Sequence, residues 1–217
     1  MNSMELRAYA NASLVFIFVL AFNLMANSLS FIVNLANSLI FTSILLIAIT
    51  LFLGPISRLF PKKFRHDLLY RKPIGISGVL FAFAYFAILL IGIYKLDFQK
   101  MVEPINYYAN IYLILGLLVL IGLVIISRPK SISEISFTRW KTLQGWGYVA
   151  LIFLLLHFAF KDGFYHLSTY SGKTLILFGF LCLGAKLATI IFSLHKKHTD
   201  FEISTLKGHH EKHKKTK

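Results

Sequence analysis

Long apolar stretches alternate with short polar segments along the whole chain, and each stretch is close to the roughly 20 residues that a helix needs to cross a bilayer. Six such stretches run approximately over Ser13–Leu29, Leu35–Leu53, Ile74–Tyr94, Tyr108–Ser127, Leu143–Phe160 and Lys173–Leu194. They lack the strict alternation of barrel strands, and backbone polar groups cannot stay unpaired in lipid, so each stretch is predicted to be helical. The predicted fold is therefore all-α, a polytopic membrane bundle of about six transmembrane helices.

The polar segments divide the chain into three predicted regions: a cytoplasmic N-terminus over residues 1–12, a six-helix transmembrane domain over 13–195 and a basic tail over 196–217. The His- and Lys-rich composition of the tail predicts a disordered cytoplasmic segment, with weak metal binding as the alternative. Arg7, the apolar run after it and Ala26 also fit a cleavable signal peptide, but the length of the run favours a retained helix.

Charge sets the predicted orientation. Only 15% of the 217 residues are charged, whereas 57% are hydrophobic, and the formal net charge is +14. The basic residues concentrate in residues 56–72, in 128–141 and after Leu194, which the positive-inside rule places in the cytoplasm together with both termini. Because topology explains these charges, a nucleic-acid partner is not predicted; the lipid bilayer is.

Few residues within the spans can carry chemistry. His157 and Lys186 are the ionisable candidates, and the one cysteine, Cys182, excludes an intrachain disulfide and a Cys-based metal cluster. Mid-span carboxylates and broken helices, which transporters use, are missing from the sequence pattern. No glycine-rich phosphate loop follows a strand-like segment, so no nucleotide- or flavin-binding domain is predicted.

Several short motifs follow one another in a particular order along the chain. The second span ends in Leu53-Gly54-Pro55-Ile56-Ser57-Arg58, Arg71-Lys72-Pro73-Ile74-Gly75 opens the third, Tyr85 follows, and Trp140-Lys141-Thr142-Leu143-Gln144 precedes His157. This succession resembles the ferric reductase-like transmembrane family, and within it the heme-binding membrane subunits of bacterial periplasmic methionine sulfoxide reductase systems. The resemblance covers roughly residues 37–195. It implies a multi-pass protein of the bacterial cytoplasmic (inner) membrane that takes part in electron transfer.

The family's ligand set is only partly retained. Tyr85 and Gln144 stand where the family has histidines, so of three heme-associated histidines His157 alone remains. The resemblance thus implies at most one heme b, with His157 as the iron ligand, Tyr85 and Gln144 as further cofactor contacts, and Arg71 holding a propionate or a flavin phosphate. A flavin or a quinone is the weaker cofactor prediction.

The depth of these residues can be compared from the helical rise of about 1.5 Å per residue. Tyr85 and His157 reach a similar depth, whereas Gln144 lies roughly 20 Å below His157. His157 could bind iron alone, together with Tyr85, or together with His166 from the last loop. In the alternative, His157 binds no metal and only forms a hydrogen bond with Tyr85 across two packed helices.

Two classes of function follow. In the first, the chain carries one heme b and passes electrons outward from a cytoplasmic or quinol donor, with a periplasmic reductase as partner protein; enzymatic activity would then depend on that partner. In the second, the chain is a degenerate, non-redox member of the family that acts as a membrane scaffold or assembly subunit.

Overall fold

The computed structural model describes residues 3–64, 69–127, 142–161 and 172–193. Within these ranges, six helices are long and apolar enough to cross a membrane, which confirms the predicted all-α bundle. The helices are α1 (Ser3–Ala26), α2 (Phe31–Leu59), α3 (Arg71–Ile93), α4 (Pro104–Ile126), α5 (Thr142–Phe160) and α6 (Gly172–Ser193). The chain is an integral, multi-pass membrane protein. The predicted basic tail and His166 lie outside the described residues.

Two helices are longer than the apolar pattern predicts. Helix α1 begins at Ser3 rather than near Ser13, because the polar residues that precede the apolar run include Glu5 and Arg7, which have high helix propensity. Helix α2 continues past Leu53 through Gly54 and Pro55 to Leu59. The apolar length of a span therefore sets the part within lipid but not where the helix ends.

A contact with another helix lets α2 continue through its proline. Pro55 has no backbone N–H, so the carbonyl of Leu51, four residues earlier, loses its helical donor. The hydroxyl of Tyr148 on α5 donates to that carbonyl at 3.0 Å. The freed carbonyl is thus paired inside the bundle, as lipid requires.

Helix α2 lies at the centre of the bundle. Of its most apolar window 56% is buried, against 17% for α1. It packs mainly on α3, and also on α1 and α5, while α4 packs mainly on α5. Helix α6 joins through the thiol of Cys182, which donates to the carbonyl of Ala48 on α2 at 3.4 Å. The core between these helices is aliphatic, with Ile40, Leu113 and Leu154 fully buried.

The contact between α2 and α3 depends on a small residue. A Cβ atom on Gly78 of α3 would lie 2.9 Å from the side chain and 3.2 Å from the backbone nitrogen of Ile47 on α2. The hydroxyl of Ser43 donates to the Gly78 carbonyl at 2.8 Å across the same contact. This close approach, typical of small residues between transmembrane helices, holds the interior face of α3 against the core.

Candidate functional site

Two of the polar side-chain groups in the described part of the bundle contain the predicted site residues or lie beside them, and these two are near opposite ends of the bundle. The first, called the His157 cluster, comprises Asn37, Tyr85, the carbonyl of Ala109, His157 and Lys161. The second, called the basic cluster, comprises Arg58, Arg71, Tyr148 and Lys186. Helices α2, α3 and α5 contribute to both clusters.

The His157 cluster is built around one hydrogen-bonded pair. The hydroxyl of Tyr85 lies 2.8 Å from Nε2 of His157, and Nδ1 of His157 lies 2.8 Å from the carbonyl oxygen of Ala109 on α4. A carbonyl can only accept, so Nδ1 carries the proton and the Nε2 of the neutral ring accepts from the Tyr85 hydroxyl. Both side chains are almost fully buried, at 0% and 1% exposure. Each nitrogen of the imidazole therefore has a partner in the protein.

This geometry does not fit an iron held between Tyr85 and His157. A metal–imidazole bond is about 2 Å long, so two atoms that flank a metal must be about 4 Å apart. The observed separation of 2.8 Å is that of a hydrogen bond. As arranged, the pair forms the hydrogen bond that the sequence offers as the alternative to the three modes of iron binding.

Lys161 extends the cluster to α2. It lies four residues after His157, directly after the last residue of α5, and its ammonium group donates to Oδ1 of Asn37 at 2.8 Å. The same nitrogen lies 5.5 Å from the centre of the Tyr85 ring, a cation–π distance. Lys161 is only 8% exposed. Sequence reasoning assigns it to a loop and misses it, although its spacing from His157 is a signal that could have identified it.

The other two predicted site residues lie at the far end of the bundle. Gln144 is in the first turn of α5, roughly 20 Å along the helix from His157. Arg71 begins α3, and its Nη1 lies 3.5 Å from the position of a Cβ built on Gly54 of α2. The structure therefore joins Tyr85 to His157 but brings neither Gln144 nor Arg71 to that pair.

Arg71 instead belongs to the basic cluster, which surrounds Tyr148. The positive charge of Arg71 interacts with the phenol of Tyr148 and repels the positive charge of Arg58. The charge of Arg58 also acts on the Tyr148 phenol. From α6, the ammonium group of Lys186 lies 5.3 Å from the centre of the Tyr148 ring. One cation thus lies over the Tyr148 ring, and the charges of two others, from α2 and α3, act on its phenol. The sequence signal for the hydrogen bond from Tyr148 is Pro55, because a proline within a helix leaves the carbonyl four residues earlier, that of Leu51, without its helical donor.

A metal site of several side chains is not formed where the structure can be described: no group of three or more His, Cys, Asp or Glu residues converges there. Comparisons with known proteins add no assignment, since neither a protein-family model nor a curated protein matches the chain. The ferric reductase-like resemblance accordingly remains a prediction that rests on the motifs themselves.

Proposed function

We propose that this chain is a ferric reductase-like membrane protein that has exchanged its heme ligands for a hydrogen-bonded core and acts as a non-redox scaffold or assembly subunit. The observation that carries this proposal is the 2.8 Å separation between the Tyr85 hydroxyl and Nε2 of His157. The nitrogen that would bind iron is occupied by a neighbouring side chain. Two of the three positions that resemble heme-associated positions of the family, Tyr85 and His157, thus form a structural contact.

The rest of the His157 cluster supports a structural role. His157 joins α5 to α3 through Tyr85 and to α4 through the carbonyl of Ala109. Lys161 joins α5 to α2 through Asn37. Hydrogen bonds between transmembrane helices stabilise association within lipid, where the groups have no water to bind. A rigid bundle of this kind suits a subunit whose task is to present surfaces to other membrane proteins.

Electron transfer is the second candidate, and one observation favours it. The N–H at Nδ1 of His157 donates to a backbone carbonyl, which is the arrangement that orients a metal-ligating imidazole and leaves Nε2 as the ligand. In this alternative the protein lies in the bacterial inner membrane, carries one heme b at His157 and serves a periplasmic reductase partner. The Tyr85 hydroxyl would have to leave Nε2, so the observed contact favours the scaffold.

Absorption spectra distinguish the two candidates. The full chain is purified in detergent from cells supplied with a heme precursor, and spectra are recorded before and after reduction by dithionite. We expect no stoichiometric Soret band from the wild-type protein or from Tyr85→Phe. Tyr85→His places a second imidazole opposite His157 and should gain a Soret band that shifts on reduction. Its loss in the Tyr85→His/His157→Ala double variant is the matched control.

The outcomes separate the proposals. A wild-type Soret band that disappears in His157→Ala would overturn the non-redox proposal and establish electron transfer as the better candidate. If Tyr85→His folds, as judged by its elution volume and helical circular dichroism, but binds no heme, the family resemblance loses its support. The scaffold role itself predicts that the chain, solubilised mildly from its native membrane, migrates in a complex larger than its own mass. Migration only as a monomer would contradict it.

A further inference from the structure

The segment that joins α3 to α4, residues 94–103, is called the α3–α4 turn and displays large apolar side chains. Three of them are exposed: Leu96 at 61%, Phe98 at 69% and Val102 at 62%. The spanning helices on either side end at Ile93 and begin at Pro104. The exposed side chains therefore lie close to two points at which the chain leaves the membrane.

The backbone of the α3–α4 turn is strained where it presents the first of these side chains. Lys95 and Leu96 have φ angles of 53° and 61°, in the left-handed region that disfavours residues with a Cβ atom. The amide of Leu96 donates to the Leu90 carbonyl at 2.9 Å, which fixes this backbone onto the end of α3. Glycine or asparagine would adopt the same conformation at lower cost. An exposed leucine at a strained position therefore indicates a role for the side chain itself.

Buried hydrogen bonds hold the α3–α4 turn against α4. Nδ2 of Asn110 donates to the carbonyl of Met101 at 2.9 Å and to the hydroxyl of Tyr94 at 3.0 Å. Asn110 and Tyr94 are 4% and 7% exposed, so their contact is shielded from solvent. The apolar side chains are thus displayed by a backbone that is tied to the bundle at both ends of the turn.

A short helix, Phe98–Met101, separates an apolar from a charged side chain within the turn. Successive residues of a helix are about 100° apart, so Phe98 and Lys100 project in nearly opposite directions. The turn contains two basic and two acidic residues, and its formal charge is therefore zero: Lys95, Lys100, Asp97 and Glu103. Its surface offers a partner apolar contact rather than electrostatic attraction.

The lipid of the membrane interface matches this surface. Ile91 in the last turn of α3 and Ile105 in the first turn of α4 are 67% and 62% exposed. Both belong to spanning helices, so they face outward towards lipid. The three apolar side chains of the turn lie between them in the chain and are exposed to a similar extent. Exposed apolar clusters mark interaction sites, and the adjoining spans place the membrane interface beside this one.

We propose that the α3–α4 turn is an interfacial anchor, in which Leu96, Phe98 and Val102 insert among the head groups and upper acyl chains of the adjacent leaflet. Affinity for the interface grows with the apolar area buried in it, and a turn of zero formal charge does not require anionic lipid. The anchor goes beyond the proposed scaffold function, and it does not depend on whether His157 binds heme. It fixes the depth of the beginning of α4, where the Ala109 carbonyl accepts from His157.

Fluorescence quenching at single cysteines tests the anchor. Phe98→Cys and its matched control Lys100→Cys are labelled with a nitrobenzoxadiazole fluorophore, and the full chain is placed in phosphatidylcholine nanodiscs. The wild-type chain, whose Cys182 is 1% exposed, is the labelling blank. Phosphatidylcholine with a nitroxide near the head-group end of one acyl chain is the lipid quencher, and iodide is the aqueous one. We expect the lipid quencher to act about threefold more strongly at Phe98 than at Lys100, and iodide to show the reverse order.

Each outcome decides the proposal. Equal quenching of the two positions by iodide would place the turn in water and overturn the anchor. If neither quencher reaches Phe98, protein covers that side chain and the lipid assignment is wrong. Replacing half of the lipid by phosphatidylglycerol should leave the ratio of the two quenchers unchanged, and lipid quenching that appears only then would contradict an apolar anchor. Leu96→Cys, labelled in the same way, carries the test if Phe98→Cys does not fold.

Discussion

The two polar clusters of the bundle use similar residue types in opposite ways. In the His157 cluster, each ring nitrogen of the imidazole has one partner, and the ammonium group of Lys161 is held by Asn37 and lies over Tyr85. In the basic cluster, Lys186 lies over the Tyr148 ring, the charges of Arg58 and Arg71 act on its phenol, and the phenol proton is donated to the Leu51 carbonyl. One cluster pairs polar groups with one another across helices, and the other gathers basic side chains around one aromatic ring.

This difference shows what buried pairing of polar groups does within a membrane bundle. Buried polar groups that satisfy one another stabilise a unique helix arrangement and leave nothing for a ligand. The residues that most resemble a cofactor site by sequence are therefore the better candidates for a structural role.

The largest expected effect is that of His157→Ala. It leaves a cavity in the core and removes the partners of both the Tyr85 hydroxyl and the Ala109 carbonyl. The free energy of unfolding should fall by about 3 kcal/mol, measured by denaturant unfolding in mixed micelles with helical circular dichroism as the signal. Ile152→Ala on the half-exposed face of α5 is the control. If the two variants lose similar stability, the His157 cluster is not the structural site described.

A somewhat smaller effect is expected from Gly78→Ala. The added methyl group would meet the backbone of Ile47 on α2, so α2 and α3 must separate, and the free energy of unfolding should fall by about 2 kcal/mol. Gly184→Ala on α6 is the matched control, because a Cβ there meets nothing within 4 Å. Equal stability of the two variants in the same unfolding assay would show that the α2–α3 contact is not tight.

Tyr85→Phe should cost less, about 1.5 kcal/mol, because it keeps the ring and leaves only Nε2 of His157 without its donor. The double variant with His157→Leu should be less destabilised than the sum of the two single variants, since the shared hydrogen bond can be lost only once. If the losses in free energy of unfolding of the two single variants add up to that of the double variant, the two side chains do not interact.

The smallest effect is expected from Tyr148→Phe in the basic cluster, about 0.6 kcal/mol, because its hydrogen bond to the Leu51 carbonyl is only partly buried. A sharper test uses Pro55→Ala, which restores the backbone N–H that the carbonyl lacks. In that background, Tyr148→Phe should have little further effect on unfolding. If it remains as costly as in the wild-type chain, Tyr148 does not serve to replace the donor lost at Pro55.

The candidate site was only partly predictable. The depths of Tyr85 and His157 follow from their distances to the helix ends, because the helical rise is constant, and the structure joins them. The partner of Nδ1 is a backbone carbonyl of α4. Such a partner cannot be predicted from residue type, because every residue has a backbone carbonyl. Lys161 carries a charge and lies near a predicted loop, so it reads as solvent-exposed until the fold buries it against Asn37.

What the sequence alone determined is the number, order and approximate extent of the spanning helices. An apolar run of sufficient length must be helical in lipid whatever surrounds it, since only the helix pairs its own backbone. The tertiary structure decided which polar groups meet. It closed the hydrogen bonds of His157, supplied the missing donor at Leu51 through Tyr148, and set Arg58 and Lys186 on one cavity. These contacts join residues far apart in the chain, and their geometry depends on how helices pack rather than on any local pattern.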